Sequence, residues 1–491
     1  MKLLDLLKGL DITLLSAGSD PDIIQIAYDS RQVSPGSLFV AVPGLKTDGH
    51  LYIAEAIQAG AAAVVAQQDV KGIPPGIALV KAPDSRAVLA QLAARFYGEP
   101  SRDVKVVGVT GTNGKTTTTH LIKAIYEEAG WPTAIMGTLY AQAGDYMAEM
   151  GHTTPEALEI ESFIALCRDQ GIKAVAMEVS SHALSQHRVD RIQFHAAVFT
   201  NLTQDHLDYH ENMENYLMAK LQLFGLVADT ADNFCVINHD DPQAAEFVAN
   251  SPGRAYTYGV QAGAQVRAED IEISLKGTRF RVNCQGRNFK VEMRLIGMFS
   301  VYNALAAIAV ALAEGIAPET IIRGLAKVEG IPGRFEKVCS SHDFSVVVDY
   351  AHTPDGLENI LQTGRELTEN RLITVFGCGG DRDRGKRPLM GEIAARYSDF
   401  CVVTSDNPRS EEPEDIIAEI VPGLEKVPHS RYAIIADRSE AIRQAIHLAR
   451  PGDLVIIAGK GHETYQLIKG QRLEFDDRKV AQKVLNELAK A

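Results

Sequence analysis

Apolar residues along this chain gather into short unbroken runs closed by glycine or polar residues, and the stretches between carry apolar positions at intervals of three or four. Unbroken runs of strand length suit strands covered on both faces, and the wider spacing suits the amphipathic helices that cover them. The pattern predicts strands at 37–42, 61–66, 77–80, 104–110, 172–178, 196–199, 234–238, 344–349, 372–376, 400–404 and 453–458, with a helix over 86–97. Gly98-Glu99-Pro100-Ser101 and Ile331-Pro332-Gly333 interrupt the alternation, which divides the chain into domains at 1–98, 99–332 and 333–491. All three are of α/β class: an N-terminal α/β domain, a central parallel sheet with helices on both faces, and a doubly wound, Rossmann-like C-terminal sheet. In such sheets ligand groups are expected at the carboxyl ends of the strands. Leucines at helical spacing open the chain, but Asp5 and Asp11 interrupt them, so a signal peptide's continuous apolar core is not expected. No apolar run reaches the length of a membrane-spanning helix.

The run at 104–110 leads into Gly111-Thr112-Asn113-Gly114 and then Lys115-Thr116-Thr117. Glycines let successive backbone N–H groups converge on phosphate oxygens, and the helix that follows adds its positive end. Lys115 would neutralise the β- and γ-phosphates, and the Thr116 hydroxyl would ligate Mg²⁺. In the strict phosphate-loop pattern the first glycine would stand at Val109, whereas here glycines occupy 108 and 111. The loop is therefore a variant, and it marks a nucleoside triphosphate site.

Composition narrows the partners. The 491 residues carry 49 Lys+Arg against 63 Asp+Glu, a formal charge of −14, which argues against a nucleic acid or an anionic membrane as the main partner. An anionic ligand must then be held by local clusters of cations. The six cysteines are scattered without a CxxC pair, which disfavours a disulfide framework or zinc site and suits a reducing, cytoplasmic setting.

The run at 172–178 ends in Glu178-Val179-Ser180-Ser181-His182, and the one at 196–199 leads into Thr200-Asn201-Leu202-Thr203-Gln204-Asp205-His206. Glu178 at a strand end can ligate the same Mg²⁺ as Thr116, in the place of a Walker B carboxylate, and His206 is a candidate ligand for a second ion. A satisfied polar network or a helix cap would use the same residue types. For Thr153-Thr154-Pro155 the alternative role is an N-cap ahead of a helix.

The set Gly108 to Thr118, Met177 to His182, Asn201 to His210, Asn303-Ala304-Leu305, Pro332-Gly333-Arg334-Phe335-Glu336 and Asp349-Tyr350-Ala351-His352 resembles the Mur ligases, ATP-dependent amide-bond formers of peptidoglycan synthesis. Ser405-Asp406-Asn407-Pro408-Arg409 is similar to the type that adds meso-diaminopimelate. The resemblance implies an N-terminal uridine-nucleotide domain, a central ATPase domain and a C-terminal amino-acid domain. It implies that the D-Glu γ-carboxylate of UDP-MurNAc-L-Ala-D-Glu takes the γ-phosphate of ATP, and that the amine of diaminopimelate then displaces phosphate. Lys115, Glu178, His206 and Lys220 would be catalytic, with two Mg²⁺ ions held by Thr116, Glu178, His206 and a carbamate formed on Lys220. ATP would meet Gly111 to Thr117, Asn303, Arg334, Asp349 and His352. The UDP substrate would meet Tyr28, Ser30, the loop Leu45-Lys46-Thr47, Thr153, Thr154, Ser180, Gln186 and Arg188. Diaminopimelate would meet Arg382, Asp406, Asn407, Pro408, Arg409, Gly459 and Glu463.

Arg409 after an apolar strand can grip a carboxylate with two hydrogen bonds, and diaminopimelate differs from lysine by one distal carboxylate. Two other functions stay open on the residues: a ligase of this architecture that adds lysine or extends a folate, and a phosphate-loop ATPase that makes no amide. The ligase requires an acceptor amine for turnover and the ATPase does not.

Overall fold

The computed structural model describes all residues except 17–19, 45–46, 285, 339–341 and 491. Leu45 and Lys46, expected near the uridine end, lie outside the described residues. Three large sheets follow one another along the chain. In the first, β1 (Thr13–Ser16), β2 (Gln25–Ala27), β3 (Ser37–Val40), β4 (Ala61–Ala66) and β5 (Ala78–Lys81) stand in the order β1-β5-β4-β3-β2, with only β1 antiparallel. The helix Ser85–Phe96 buries Val88, Leu89, Leu92 and Ala93 against it, and Asp84 caps its first turn by accepting from the N–H groups of Arg86 and Ala87.

The second sheet has a parallel centre of β6 (Lys105–Thr110), β7 (Thr133–Met136), β10 (Ala174–Glu178), β11 (Phe194–Phe199), β12 (Phe234–Asn238) and β13 (Arg254–Gly259). β6 lies between β10 and β11 with Val106, Val107 and Val109 fully buried, because helices cover both faces. This centre is the parallel sheet that the apolar runs predicted, and the structure extends it at both edges. At one edge β8 (Ala141–Ala143) and β9 (Tyr146–Ala148) add antiparallel strands; at the other, β14 (Val266–Ser274), parallel to β13, begins a meander through β15 (Gly277–Cys284) and β16 (Arg287–Met293). These strands alternate buried and exposed positions, so they contain none of the unbroken apolar runs that marked the centre.

The third sheet comprises β17 (Glu336–Val338), β18 (Ser345–Asp349), β19 (Leu372–Phe376), β20 (Phe400–Val403), β21 (Tyr432–Ile434) and β22 (Leu454–Ala458), ordered β17-β18-β22-β19-β20-β21 with β17 antiparallel. The hairpin of β23 (Tyr465–Ile468) and β24 (Gln471–Glu474) stands apart from it. The carboxyl ends of the second and third sheets face each other: Asn113 donates to Asp355 (2.8 Å), Gln204 to Asp383 (3.2 Å), and Arg334 to Thr116 (3.0 Å). Among the described residues no helix is long and apolar enough to cross a membrane.

One acid is buried on a helix of the central domain. Glu161, on the helix Ala157–Asp169, is 2% exposed with one carboxyl oxygen unpartnered; burial, then the charge of Glu99, pushes its carboxyl up to about 8 against the pull of Arg191. A carboxyl raised in the folded state contributes its full share below the unfolded value and loses it as pH climbs through the folded one. Wild-type melting temperature is therefore expected to fall between pH 5 and pH 8 relative to Glu161→Gln, as scanning calorimetry at both pH values would show.

Candidate active site

Backbone geometry at 111–114 depends on its glycines. Gly111 (φ 146) and Gly114 (φ 90) have positive φ, and a Cβ on either would overlap Thr200 Oγ1 or Asn303 Oδ1. The loop is strapped from the end of β11: Thr200 Oγ1 donates to Asn113 O (2.7 Å), Asn113 N to Asn201 Oδ1 (2.9 Å), and Thr112 N to Asn201 O (2.8 Å). Lys115 opens the helix Lys115–Glu128, and its Nζ folds back onto Gly111 O and Thr112 O, both at 2.8 Å. Burial pulls its ammonium pKa down, opposed by Glu178 and Asp205. Gly111→Ala should raise the KM for ATP by about tenfold or more in a coupled ADP assay, because the loop must move off its strap.

Glu178 ends β10 as a hub. Its Oε2 accepts from Thr116 Oγ1 (3.0 Å) and Thr138 Oγ1 (3.0 Å), its Oε1 from Thr138 N (2.8 Å), and its backbone carbonyl from Thr154 Oγ1 (2.8 Å). A side chain at Gly137 would displace this carboxylate. Thr154 also accepts from Ser180 N (3.0 Å), and Thr153 meets Thr138 (3.1 Å). Neither threonine is the N-cap that its place before Pro155 suggested: the cap position is Glu156, and no side chain closes that turn.

Thr116 and Glu178 present hard oxygen ligands to one point, which suits Mg²⁺. Lys220 is 1% exposed on the helix Met213–Gly225; its Nζ donates to Gly111 O (2.9 Å) and stands 4.4 Å from the centre of the Tyr216 ring. His206 (φ 56) faces His182 with ring centres 4.8 Å apart, and Asp205 lies 3.3 Å from its Nε2. Burial pushes the His206 imidazole down to about 3, so it is neutral and able to ligate a cation. Burial, then the charge of Lys115, holds Lys220 well below the usual ammonium range. Among the described residues no three His, Cys, Asp or Glu side chains form a closed metal cage. Mg²⁺ usually keeps several waters or phosphate oxygens, and the sparse donor set fits that habit.

A cavity of about 300 Å³ opens beside the phosphate loop, lined by Asn113, Gly114, Thr116, Thr117, Asn303, Arg334, Asp349 and His352 among others. Thr118 Oγ1 donates to Asn303 (3.4 Å), and Arg334 lies over the Tyr350 ring at 4.7 Å. Asp349 spends both oxygens on backbone N–H groups, those of Phe335 (2.6 Å) and Ala351 (2.7 Å), so within the cavity wall it pins the turn that carries Arg334. His352 Nδ1 meets Tyr350 O (2.9 Å), and burial lowers its pKa.

Between the first two sheets lies a cavity of about 460 Å³ lined by Tyr28, Ser30, Thr47, Arg86 and Glu156. Tyr28 donates to Glu159 (2.7 Å), and Arg86 Nη1 contacts both Glu156 oxygens at 2.9 Å. Arg188 joins the same carboxylate (3.0 Å), Thr154 O (2.8 Å) and Gln186 Oε1 (2.7 Å). Ser180 is occupied as the cap of the short helix Ser181–Ser185.

After β20 the chain turns through Asp406, Asn407 and Pro408 to Arg409. Asn407 Nδ2 donates to Glu463 (2.8 Å), and Lys460 Nζ bridges Asn407 Oδ1 (3.0 Å) and Glu463 (2.7 Å). Asp406 keeps one oxygen buried and unpartnered, and a Cβ on Gly459 would lie 2.5 Å from it. Arg409 Nη1 donates to the carbonyls of Gly380 (2.8 Å) and Asn407 (3.4 Å), and among the described residues it forms no ion pair. Among the described residues Arg382 Nη1 donates to Asp381 O alone (2.9 Å).

Three family models match the chain in order: the Mur ligase family catalytic domain at 22–97, the Mur ligase middle domain at 109–311, and the Mur ligase glutamate ligase domain at 333–461. The chain belongs to the Mur ligase family. It is 61% identical to the UDP-N-acetylmuramoyl-L-alanyl-D-glutamate--2,6-diaminopimelate ligase of Syntrophomonas wolfei, over 99% of both chains. It is 46% identical to the protein of the same name from Caldanaerobacter subterraneus, over 100% of both. A solved structure of a UDP-N-acetylmuramoyl-L-alanyl-D-glutamate--2,6-diaminopimelate ligase superposes with a TM-score of 0.67 at 34% identity, covering 95% of each chain.

In this Mur ligase the structure adds residues to those the sequence singled out. Asn201 and Thr200 strap the phosphate loop, Tyr350 carries Arg334, and Lys460 neutralises Glu463. Their signals were present as neighbours of motif residues, but nothing in spacing tells which neighbour faces the cleft.

Proposed function

We propose that this Mur ligase joins meso-2,6-diaminopimelate to the D-Glu γ-carboxylate of UDP-MurNAc-L-Ala-D-Glu at the expense of ATP, in cytoplasmic peptidoglycan synthesis. The observation that carries the amino-acid choice is Arg409, a partly buried cation that forms no ion pair among the described residues, on a loop tied through Asn407 to Glu463 on the loop after β22. A free guanidinium suits the distal carboxylate of diaminopimelate, and lysine offers nothing to it. Full-length identity to relatives bearing that ligase's name supports the same reading.

The phosphate loop N–H groups and Lys115 would hold the triphosphate, while Arg334 lies on the phosphate side of the cavity through its bond to Thr116. The γ-carboxylate attacks the γ-phosphorus, the bond to the bridging oxygen breaks, and ADP leaves, giving an acyl phosphate. The neutral amine then adds to the acyl carbon, expels phosphate and sheds a proton. Two anions meet in the first step, so positioning and cationic charge supply most of the catalysis. Thr116 and Glu178 would hold one Mg²⁺, and His206 with a carbamylated Lys220 a second; when bound, these ions neutralise charge between phosphate and carboxylate. Lys220 suits carbamylation because burial, then the charge of Lys115, makes its amine easier to deprotonate than an ordinary lysine: the free amine nitrogen adds to CO₂ and releases a proton.

The test is phosphate release from ATP and UDP-MurNAc-L-Ala-D-Glu with diaminopimelate, with L-lysine, and with no amine. Release that requires diaminopimelate supports the proposal. Equal release without amine would identify a plain ATPase, and preference for lysine would overturn the role of Arg409.

A further inference from the structure

Arg382 and Arg409 come from different loops yet flank the same glycine: a Cβ at Gly379 would lie 2.8 Å from Arg409 Nη1 and 3.9 Å from Arg382 Cγ. Burial, then the charge of Arg382, lowers the Arg409 pKa, so the two guanidinium groups oppose each other. Two like charges hold a common orientation only where the backbone under them is restrained. Both loops are also conformationally costly, with Asp381 at φ 51 and Arg409 at φ 55.

The restraint runs from the core to the surface. Arg387, on the helix Lys386–Tyr397, is fully buried; it donates to Glu411 Oε2 (2.9 Å) and Oε1 (2.8 Å), and to Glu419 Oε2 (2.9 Å). Glu411 Oε1 accepts from Asp381 N (2.6 Å). Asp381 in turn accepts from Ser410 Oγ (2.5 Å) and Ser410 N (3.2 Å), and Gly380 N donates to Asn407 O (2.9 Å). The residue next to Arg382 is thus tied to the two residues that follow Arg409. Hydrogen bonding from Arg387 holds the Glu411 carboxyl at about 2, which keeps this tie ionic throughout the neutral range.

We propose that Arg387, Glu411, Asp381 and Ser410 form a staple that sets the spacing of Arg382 and Arg409, and that these four are positioning residues for recognising the second carboxylate of the acceptor. The inference rests on the diaminopimelate reading above and names the residues that make its selectivity possible. None of the four needs to touch the substrate. Arg387 keeps Glu419 as an ionic partner when Glu411 is changed, so its buried charge is not stranded and the staple's effect should appear in selectivity before it appears in folding.

The full chain carrying Glu411→Gln, and separately Ser410→Ala at an exposed position, is compared with wild type in steady-state kinetics for each substrate in turn. The KM for diaminopimelate is expected to rise about tenfold in Glu411→Gln and about threefold in Ser410→Ala, with the KM values for ATP and the UDP substrate within about twofold, because a small misplacement of a recognition group is costly. The preference for diaminopimelate over lysine should fall by similar factors. Joint movement of all three KM values, or an unchanged diaminopimelate-to-lysine ratio, would overturn the staple. Failure of wild type to use diaminopimelate would overturn the function and the staple together, whereas a selective wild type with equally selective variants removes the staple alone.

Discussion

Lys220→Ala is expected to lower kcat for amide formation by about 10³-fold or more, an effect on the order of a lost transition-state charge contact. The side chain is buried, its Nζ donates to the phosphate-loop carbonyl of Gly111 at 2.9 Å, and burial, then the charge of Lys115, holds its pKa well below the usual ammonium range. A permanently cationic lysine here would face both burial and Lys115; a neutral amine avoids both, and its carbamate would present an anion to a bound Mg²⁺ and to Lys115. Two readouts separate this role from simple packing. Wild type incubated with ¹³C-bicarbonate should show a carbamate resonance that is absent in Lys220→Ala, and added acetate should restore part of the variant's turnover. A variant that melts early, shows no rescue and differs by no resonance would make Lys220 a structural residue.

Arg409→Ala should lower kcat/KM for diaminopimelate by about 10²- to 10³-fold, since removing one partner of a partly buried charged contact costs about 3–4 kcal/mol and each 1.4 kcal/mol is tenfold. Activity with lysine should change little, because lysine brings no carboxylate to the vacated place. The guanidinium's present bonds are to the carbonyls of Gly380 and Asn407, so its removal breaks no ion pair among the described residues and the fold should melt near the wild-type temperature. Steady-state kinetics with both amines, alongside calorimetry, measure the two halves of this expectation. Equal losses with lysine and diaminopimelate would show that Arg409 supports the loop and does not read the acceptor.

The central strands were legible because they are buried on both faces: 234–238 and 372–376 are strands at the ends that the apolar runs predicted. The phosphate loop was legible for a different reason. Its glycines answer a local backbone demand, positive φ at Gly111 and Gly114, and that demand is written at the position itself. The strands at 266–293 went unread because one face of each is wet, which leaves alternation in place of a run. Around the site, the paired threonines show the limit of local rules. Thr153 and Thr154 precede a proline and look like a helix cap, yet Thr154 turns toward the end of β10 to bind the Glu178 carbonyl, a contact made across 24 residues.

The amino-acid sequence by itself determined the α/β class, the phosphate loop and the chemical types gathered for an anionic, nucleotide-dependent reaction, since these depend on burial period and on residues that serve their own backbone. Tertiary structure alone decided which charges meet: Arg334 on Thr116, Lys220 under Gly111, Asp349 on the turn at Phe335, and Arg387 behind the two arginines of the amino-acid loops. Those partners lie far apart along the chain, and side-chain hydrogen bonds depend on distances of a fraction of an ångström that only the packed sheets and their facing carboxyl ends establish.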